Sequence, residues 1–285
     1  MPVPSLADRY IVAARLKGYL NKHDEAVALL TEALRQQPDD ARLLRFRGHR
    51  RISIRDYDGS VADLERAAEL LPDTEDGYEL YQLEVETDIV HLLLGHPDRV
   101  REQHLPVSRA AGHENLALYM TTLHTSVWYH LGVARYLRGD FEGCLEPFAR
   151  ANQTARHREG RVASLDWQYM ALRRLNRGAD AATVLDEFRA VPAEDGAPDV
   201  GYEKRMRLYT GELSPDALLG QLAGDPLMMA TQGYGLGNWY LYNHQAAKAE
   251  EIFDQVLATG VTHSFAYLAV EAERARAGNG ARANN

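Results

Sequence analysis

The chain has 285 residues, 45% hydrophobic and 26% charged, close to the composition of soluble globular proteins and unlike disordered, collagen-like or disulfide-scaffold chains. Its 41 acidic and 32 basic residues leave a net charge of −9, which argues against general nucleic-acid binding and leaves room only for a local basic patch. The single cysteine, Cys144, rules out an intramolecular disulfide and a cysteine-rich zinc site, and fits a reducing compartment.

At the start of the chain, Asp8, Arg9, Arg15 and Lys17 interrupt every apolar stretch, so no signal peptide is expected. No window approaches ~18 uncharged apolar residues, so no membrane-spanning helix is expected either. The sequence as it stands reads as cytoplasmic; a periplasmic or envelope location stays open if a leader was removed.

Length alone, at roughly 150 residues per domain, suggests two domains. Internal repetition changes that reading. Tyr10, Ala14, Ala26, Leu30, Ala33 and Pro38 return as Leu44, Gly48, Ser60, Leu64, Ala67 and Pro72, each 34 residues further on. A third copy holds Trp128, Leu131, Gly132, Gly139, Asp140, Phe141, Cys144, Phe148 and Ala151, and a fourth holds Tyr234, Gly237, Tyr240, Ala247, Phe253 and Val256. A small residue such as Gly48 or Gly132 lets two helices approach closely, while larger apolar residues fill the remaining space. Cys144 falls where a small buried residue belongs, so it reads as packing and not as a nucleophile.

Between these copies, helical patterns continue over 78–94, 98–111, 116–138, 161–176 and 180–190, with stops at Gly95-His96-Pro97, at Gly112-His113 and over 191–198. Nowhere does a period-two run suggest a sheet. The reading is all-α, with about fourteen or fifteen helices.

The repeated residues resemble the tetratricopeptide repeat (TPR), whose pattern runs aromatic, Leu-Gly, Tyr, then Ala, Phe, Ala and Pro. The resemblance implies a right-handed α-solenoid of antiparallel helix pairs. One solenoid over 1–276 then replaces the two domains, with a disordered tail over 277–285. The loop over 191–198 becomes an insertion between repeats. The C-terminal part allows a narrower comparison, through Trp167 and Tyr169, Ala181 to Leu185, Tyr209 to Ser214, YGLGNWYLYN and Ala258 to Phe265. It resembles the NlpI-type bacterial TPR lipoproteins, adaptors for envelope proteases and peptidoglycan hydrolases. The lipobox cysteine and leader of those proteins are missing here, so the envelope role does not carry over.

In TPR arrays the first helix of each repeat lines a concave wall. Carried onto this register, the inner positions are Ile11, Arg15 and Tyr19, then Arg42, Arg45, His49, Ile52 and Ser53, and in a later repeat Ser126, Tyr129, Val133, Tyr136 and Leu137. Within 41–55 stand six arginines, one histidine and no acid, in a chain of net negative charge. Arginine forks suit carboxylates and phosphates, so Arg15, Arg42, Arg45 and His49 are candidates to hold an acidic group. The competing reading pairs the arginines with Asp63, Glu65 and Glu69, above all for Arg47 and Arg51. Tyr129 and Tyr136 offer apolar area with a polar handle, and Asn238 can both donate to and accept from an extended peptide. The Lys and Asn of the chaperone-binding carboxylate clamp are replaced by Ile11 and Arg15, so that specificity is not expected.

Catalytic motifs are missing: there is no HExxH, GxSxG, glycine-rich phosphate loop or CxxC. The pairs His91/His96 and His124/His130 have no acidic ligand at metal spacing, and no metal or cofactor is expected. His49 and His130 support acid–base chemistry only if both turn toward one pocket with an acid such as Asp88 or Asp166. The expected function is a non-enzymatic scaffold or adaptor that takes a partner segment or peptide, with an acidic group, in its groove. A peptide- or metabolite-sensing regulator and an enzyme built on His49 and His130 are the alternatives.

Overall fold

The computed structural model of the chain describes residues 5–72, 76, 79, 121–194 and 201–283. Thirteen helices and no strand are formed among the described residues. The first four are α1 (Leu6–Tyr19), α2 (His23–Gln36), α3 (Ala41–Ser53) and α4 (Tyr57–Glu69). Then come α5 (Leu123–Arg138), α6 (Leu145–Thr154), α7 (Arg158–Arg174) and α8 (Gly178–Ala190). The rest are α9 (Tyr202–Thr210), α10 (Pro215–Leu222), α11 (Pro226–Tyr242), α12 (Ala246–Ala258) and α13 (Phe265–Ala283). The helices expected over 78–94 and 98–111 lie outside the described residues, as do His91, His96 and Asp88. Helix α13 runs to Ala283, beyond the boundary expected at Arg276.

Polar side chains set the helix starts by accepting otherwise unpaired N–H groups of the first turn. Ser5 and Asp8 form a capping box at α1, Asp40 accepts from Arg42 and Leu43 at α3, and Asp56 accepts from Gly59 at α4. Thr122 caps α5 by accepting from the Thr125 N–H, which starts that helix later than the apolar pattern from Leu116 suggests. Asn21, Arg55, Asn176 and His244 take positive φ values of 58–68° in the turns inside four helix pairs. Gly139 takes the same role between α5 and α6 at φ 94°, a conformation glycine adopts without strain.

Three pairs share one contact. A Cβ placed on Gly48 would lie 2.7 Å from Leu64, one on Gly132 2.6 Å from Phe148, and one on Gly237 2.4 Å from Phe253. Each partner stands 16 residues after its glycine. The small residue therefore admits the facing helix, as the repeat spacing requires.

Consecutive helices pack on one another, and α1, α3, α5, α7, α9, α11 and α13 form a second series in which each touches the next. Helix α13 also packs against α5, and α11 against α7. The inner layer from α5 to α13 thus closes on itself. Its centre is aromatic: Tyr136, Phe148, Trp167, Tyr234 and Phe253 are fully buried, with Tyr136 and Trp167 ring centroids 5.0 Å apart. A smaller apolar core joins α1 to α4 and ends on Val127 of α5. No helix among the described residues is long and apolar enough to cross a membrane.

Candidate functional site

Helices α1 and α3, the α1–α2 turn with the start of α2, and the turn before α13 border a cleft of about 490 Å³. Arg15 comes from α1, His23 from α2, Arg45, His49 and Arg50 from α3, and His263 from the turn before α13. Three arginines and three histidines therefore share one cleft, with Glu79 as the acid among its described lining residues. The Arg50 guanidinium is seated against Gly18, where an added Cβ would lie 2.6 Å from its Cζ.

Glu79 neutralises part of this charge. It is 2.7 Å from Arg45, both side chains are more than nine-tenths buried, and the Ser126 hydroxyl donates to Glu79 over 2.7 Å. Burial pushes the Glu79 carboxyl upward, opposed by Arg45 and the Ser126 hydroxyl. The histidines feel both burial and the neighbouring cations. Burial first, then Arg50, His263 and Arg55, lower His23 to about 4. His49 lies well below its usual value through burial, then through His130, Arg50 and Arg45.

His49 and His130 meet with ring centroids 4.2 Å apart, a tilted stack closed on one side by Phe265 of α13. His130 Nδ1 lies 2.6 Å from the Ser126 carbonyl; a carbonyl only accepts, so Nδ1 carries the proton and Nε2 is an acceptor in the neutral ring. Burial and Arg45 hold His130 well below its usual range. His49 Nδ1 has no hydrogen-bond partner among the described residues. The expected acid Asp166 is not here: it is fully buried against Arg205, with Arg205 Nε donating to its Oδ1 over 2.9 Å.

The other side of the imidazole pair borders a smaller cavity of about 210 Å³, lined by Tyr129, His130, Glu159, Tyr202 and several hydroxyls. Trp167 Nε1 donates to the Tyr129 hydroxyl over 2.9 Å, and that hydroxyl is 3.0 Å from the one on Tyr202. The two cavities share Thr121.

The seven residues singled out from the sequence separate into four groups. Arg15, Arg45 and His49 line the basic cleft, and Tyr129 lines the smaller cavity. Arg42 is elsewhere, held 2.8 Å from both Asp8 and Asp40. Tyr136 and Asn238 are fully buried, not on an accessible groove wall. Asn238 Nδ2 donates to the Tyr136 hydroxyl over 3.2 Å, that hydroxyl is 2.7 Å from the one on Tyr234, and Tyr234 donates to Glu273 of α13 over 3.0 Å. The reason is the closure of the inner layer: α13 fills the face that an open array would leave to a ligand. Arg47 and Arg51 both pair with Asp63, at 2.6 and 3.0 Å, the internal pairing weighed for that line. Sequence reasoning missed His23, Arg50 and His263, which come from three separate elements; Glu159 gave no signal at all.

No family model matches the chain, and no curated protein does.

Proposed function

We propose that the chain is a non-enzymatic binding scaffold, a TPR-like right-handed solenoid of antiparallel helix pairs that holds an acidic group of a partner protein segment in its basic cleft. One observation carries the reading: Arg15, Arg45, Arg50, His23, His49 and His263 converge from separate elements on one cleft, with Glu79 as the acid among its described lining residues. Arginine forks match carboxylates bidentately, and an incoming anion would offset the burial and the positive neighbours that together hold the histidines neutral. The exposed Tyr19, with His263, gives a partner segment room to enter.

The enzymatic alternative is weaker. Its two imidazoles do meet, yet no carboxylate hydrogen-bonds to either ring among the described residues, so the orienting acid of a general base is missing.

Fluorescence anisotropy with a labelled oligoglutamate peptide, and oligoglutamine as the control, tests the reading. Saturable, salt-sensitive binding of the acidic peptide is expected, weakened at least about tenfold by Arg50→Glu or Arg15→Glu. Equal binding of the two peptides, or variants that bind like the parent, would overturn it.

A further inference from the structure

The smaller cavity has a different chemistry from the basic cleft. It lies between α5, α7 and the start of α9, and at about 210 Å³ it is below the ~300–1,000 Å³ of pockets for drug-sized ligands. Several of its polar groups pair with one another, as Thr122 does with Thr125 and Tyr129 with Tyr202. Glu159, in the first turn of α7, lines the cavity and makes no hydrogen bond or ion pair among the described residues. Two cations also line the cavity: His157 Nδ1 is 2.7 Å from Glu194 and acts on Glu159 through its charge, and Arg156 donates to the Asp76 carbonyl, while Arg158 is 3.0 Å from Glu203. His130 adds a second acceptor, because its Nδ1 proton is spent on the Ser126 carbonyl.

Aromatic surface completes the lining. Tyr129 and Tyr202 both border the cavity. Their two hydroxyls carry two protons, and the bond between them uses one. Trp167 donates to Tyr129 and takes no proton back. One phenolic proton of the pair is thus left without an acceptor among the described residues. Beside Arg156 and His157, the cavity offers a carboxylate, a neutral imidazole nitrogen, two phenol rings and one surplus donor.

We propose that this cavity is a binding site for a small organic ammonium compound, with the ammonium group donating to Glu159 and the carbon skeleton lying against Tyr129 and Tyr202. An ammonium group supplies the several N–H donors that Glu159 and His130 lack, and phenol rings favour a nearby cation through their π faces. A carboxylate that is partly desolvated and unpaired gains most from a partner of opposite charge. Burial has already moved Glu159 up to about 6, so the acceptor is ionised at neutral pH and lost on mild acidification. The site adjoins the basic cleft at Thr121 and the imidazole pair but takes a ligand of the opposite charge.

Isothermal titration of the full chain with benzylamine, phenethylamine and tyramine, each set against the alcohol that replaces its amine, tests the proposal. One-to-one binding of at least one amine is expected, at least about tenfold tighter than its alcohol. Glu159→Gln should remove that preference without moving the alcohol. With Glu159 at about 6, the ionised fraction and hence amine affinity fall about tenfold from pH 7 to pH 5. Ala163→Leu, which fills the cavity from α7, should abolish binding of amine and alcohol alike, and circular dichroism checks that each variant is folded. Amines that bind no better than their alcohols, that fail to bind at all, or that ignore both substitutions would overturn the proposal.

Discussion

His49 and His130 stack with ring centroids 4.2 Å apart inside a cationic surround, and each is held far below its usual value, by burial first and then by neighbouring positive charge. The groups around the pair are Arg45 and Arg50 on α3, His23 on α2 and, for His130, the Ser126 carbonyl on its own helix. Protonating either ring in the folded chain sets a new charge against its partner and two guanidinium groups.

That arrangement fixes the sign of a pH dependence. The folded values lie below the ordinary histidine value of 6.5, so the unfolded chain binds more protons as pH falls through that value. The stabilising contribution is complete above about pH 6.5 and declines below it, by up to about 1.4 kcal/mol per pH unit per histidine. Urea unfolding at about pH 7.5 and 5.5 should show the loss, and His49→Phe should reduce the slope while keeping a ring in the stack. An unchanged slope in that variant would assign the acid sensitivity to other groups.

The close helix approaches predict a graded response to single methyl groups. Gly132→Ala sets a Cβ 2.6 Å from Phe148, and Gly48→Ala one 2.7 Å from Leu64, so each should cost about 1–3 kcal/mol through overpacking. Gly178 meets nothing within 4 Å, so Gly178→Ala should change stability by no more than about 0.5 kcal/mol. Chemical denaturation of the three variants separates the packing glycines from the spacer.

These glycines mark what was legible in the sequence. A spacing that recurs along the chain, such as Gly48 to Leu64 and Gly132 to Phe148, reports a local helix pair, and the caps at Ser5, Asp40 and Asp56 are local too. Contacts across the closed inner layer are not local. Tyr136 reaches Tyr234 across 98 residues, and Arg276 reaches the Leu137 carbonyl across 139. No periodicity encodes them, and for that reason Tyr136 and Asn238 read as groove residues. Arg45 and His49 were visible because one helix concentrates arginines, whereas His23 and His263 join them only through the fold.

Glu273 should be the most sensitive acid of α13. It accepts from Tyr234 and pairs with Arg174 at 3.0 Å and Arg276 at 2.8 Å, while itself 8% exposed. Glu273→Gln keeps the shape and removes the charge, leaving two guanidinium groups facing a neutral amide. A loss of about 2–4 kcal/mol is expected, with faster proteolysis at the α13 end. Unchanged stability would mean that α13 is held by its apolar face alone.

Cys144 is fully buried at the start of α6, and its thiol donates to the Phe141 carbonyl over 3.1 Å. Burial, with Asp140 nearby, raises the thiol well above its ordinary range, so the reactive thiolate is suppressed. A disulfide-exchange reagent at about pH 8 should therefore label the native chain at least about a hundredfold more slowly than the chain unfolded in denaturant. Native labelling at the rate of a free thiol would contradict the buried packing role.

The buried pair Asp166–Arg205 gives the sharpest stability test. Both side chains are at most 1% exposed, Arg205 Nη1 donates to the Thr231 carbonyl over 3.1 Å, and the guanidinium lies 4.9 Å from the Tyr202 ring centroid. Asp166 raises the Arg205 value further, so the guanidinium stays charged. Asp166→Asn leaves that charge buried with only carbonyl and amide partners, and should cost about 3–5 kcal/mol. The exposed pair Arg66–Asp39, with side chains 47% and 64% exposed, is the control, because Asp39→Asn should cost no more than about 1 kcal/mol. Replacing Asp166 and Arg205 together by Leu and Met removes both charges, and should recover part of the loss because no unpaired ion remains. A double variant no more stable than Asp166→Asn would show that packing around Trp167 and Tyr202, and not the unpaired charge, carries the cost.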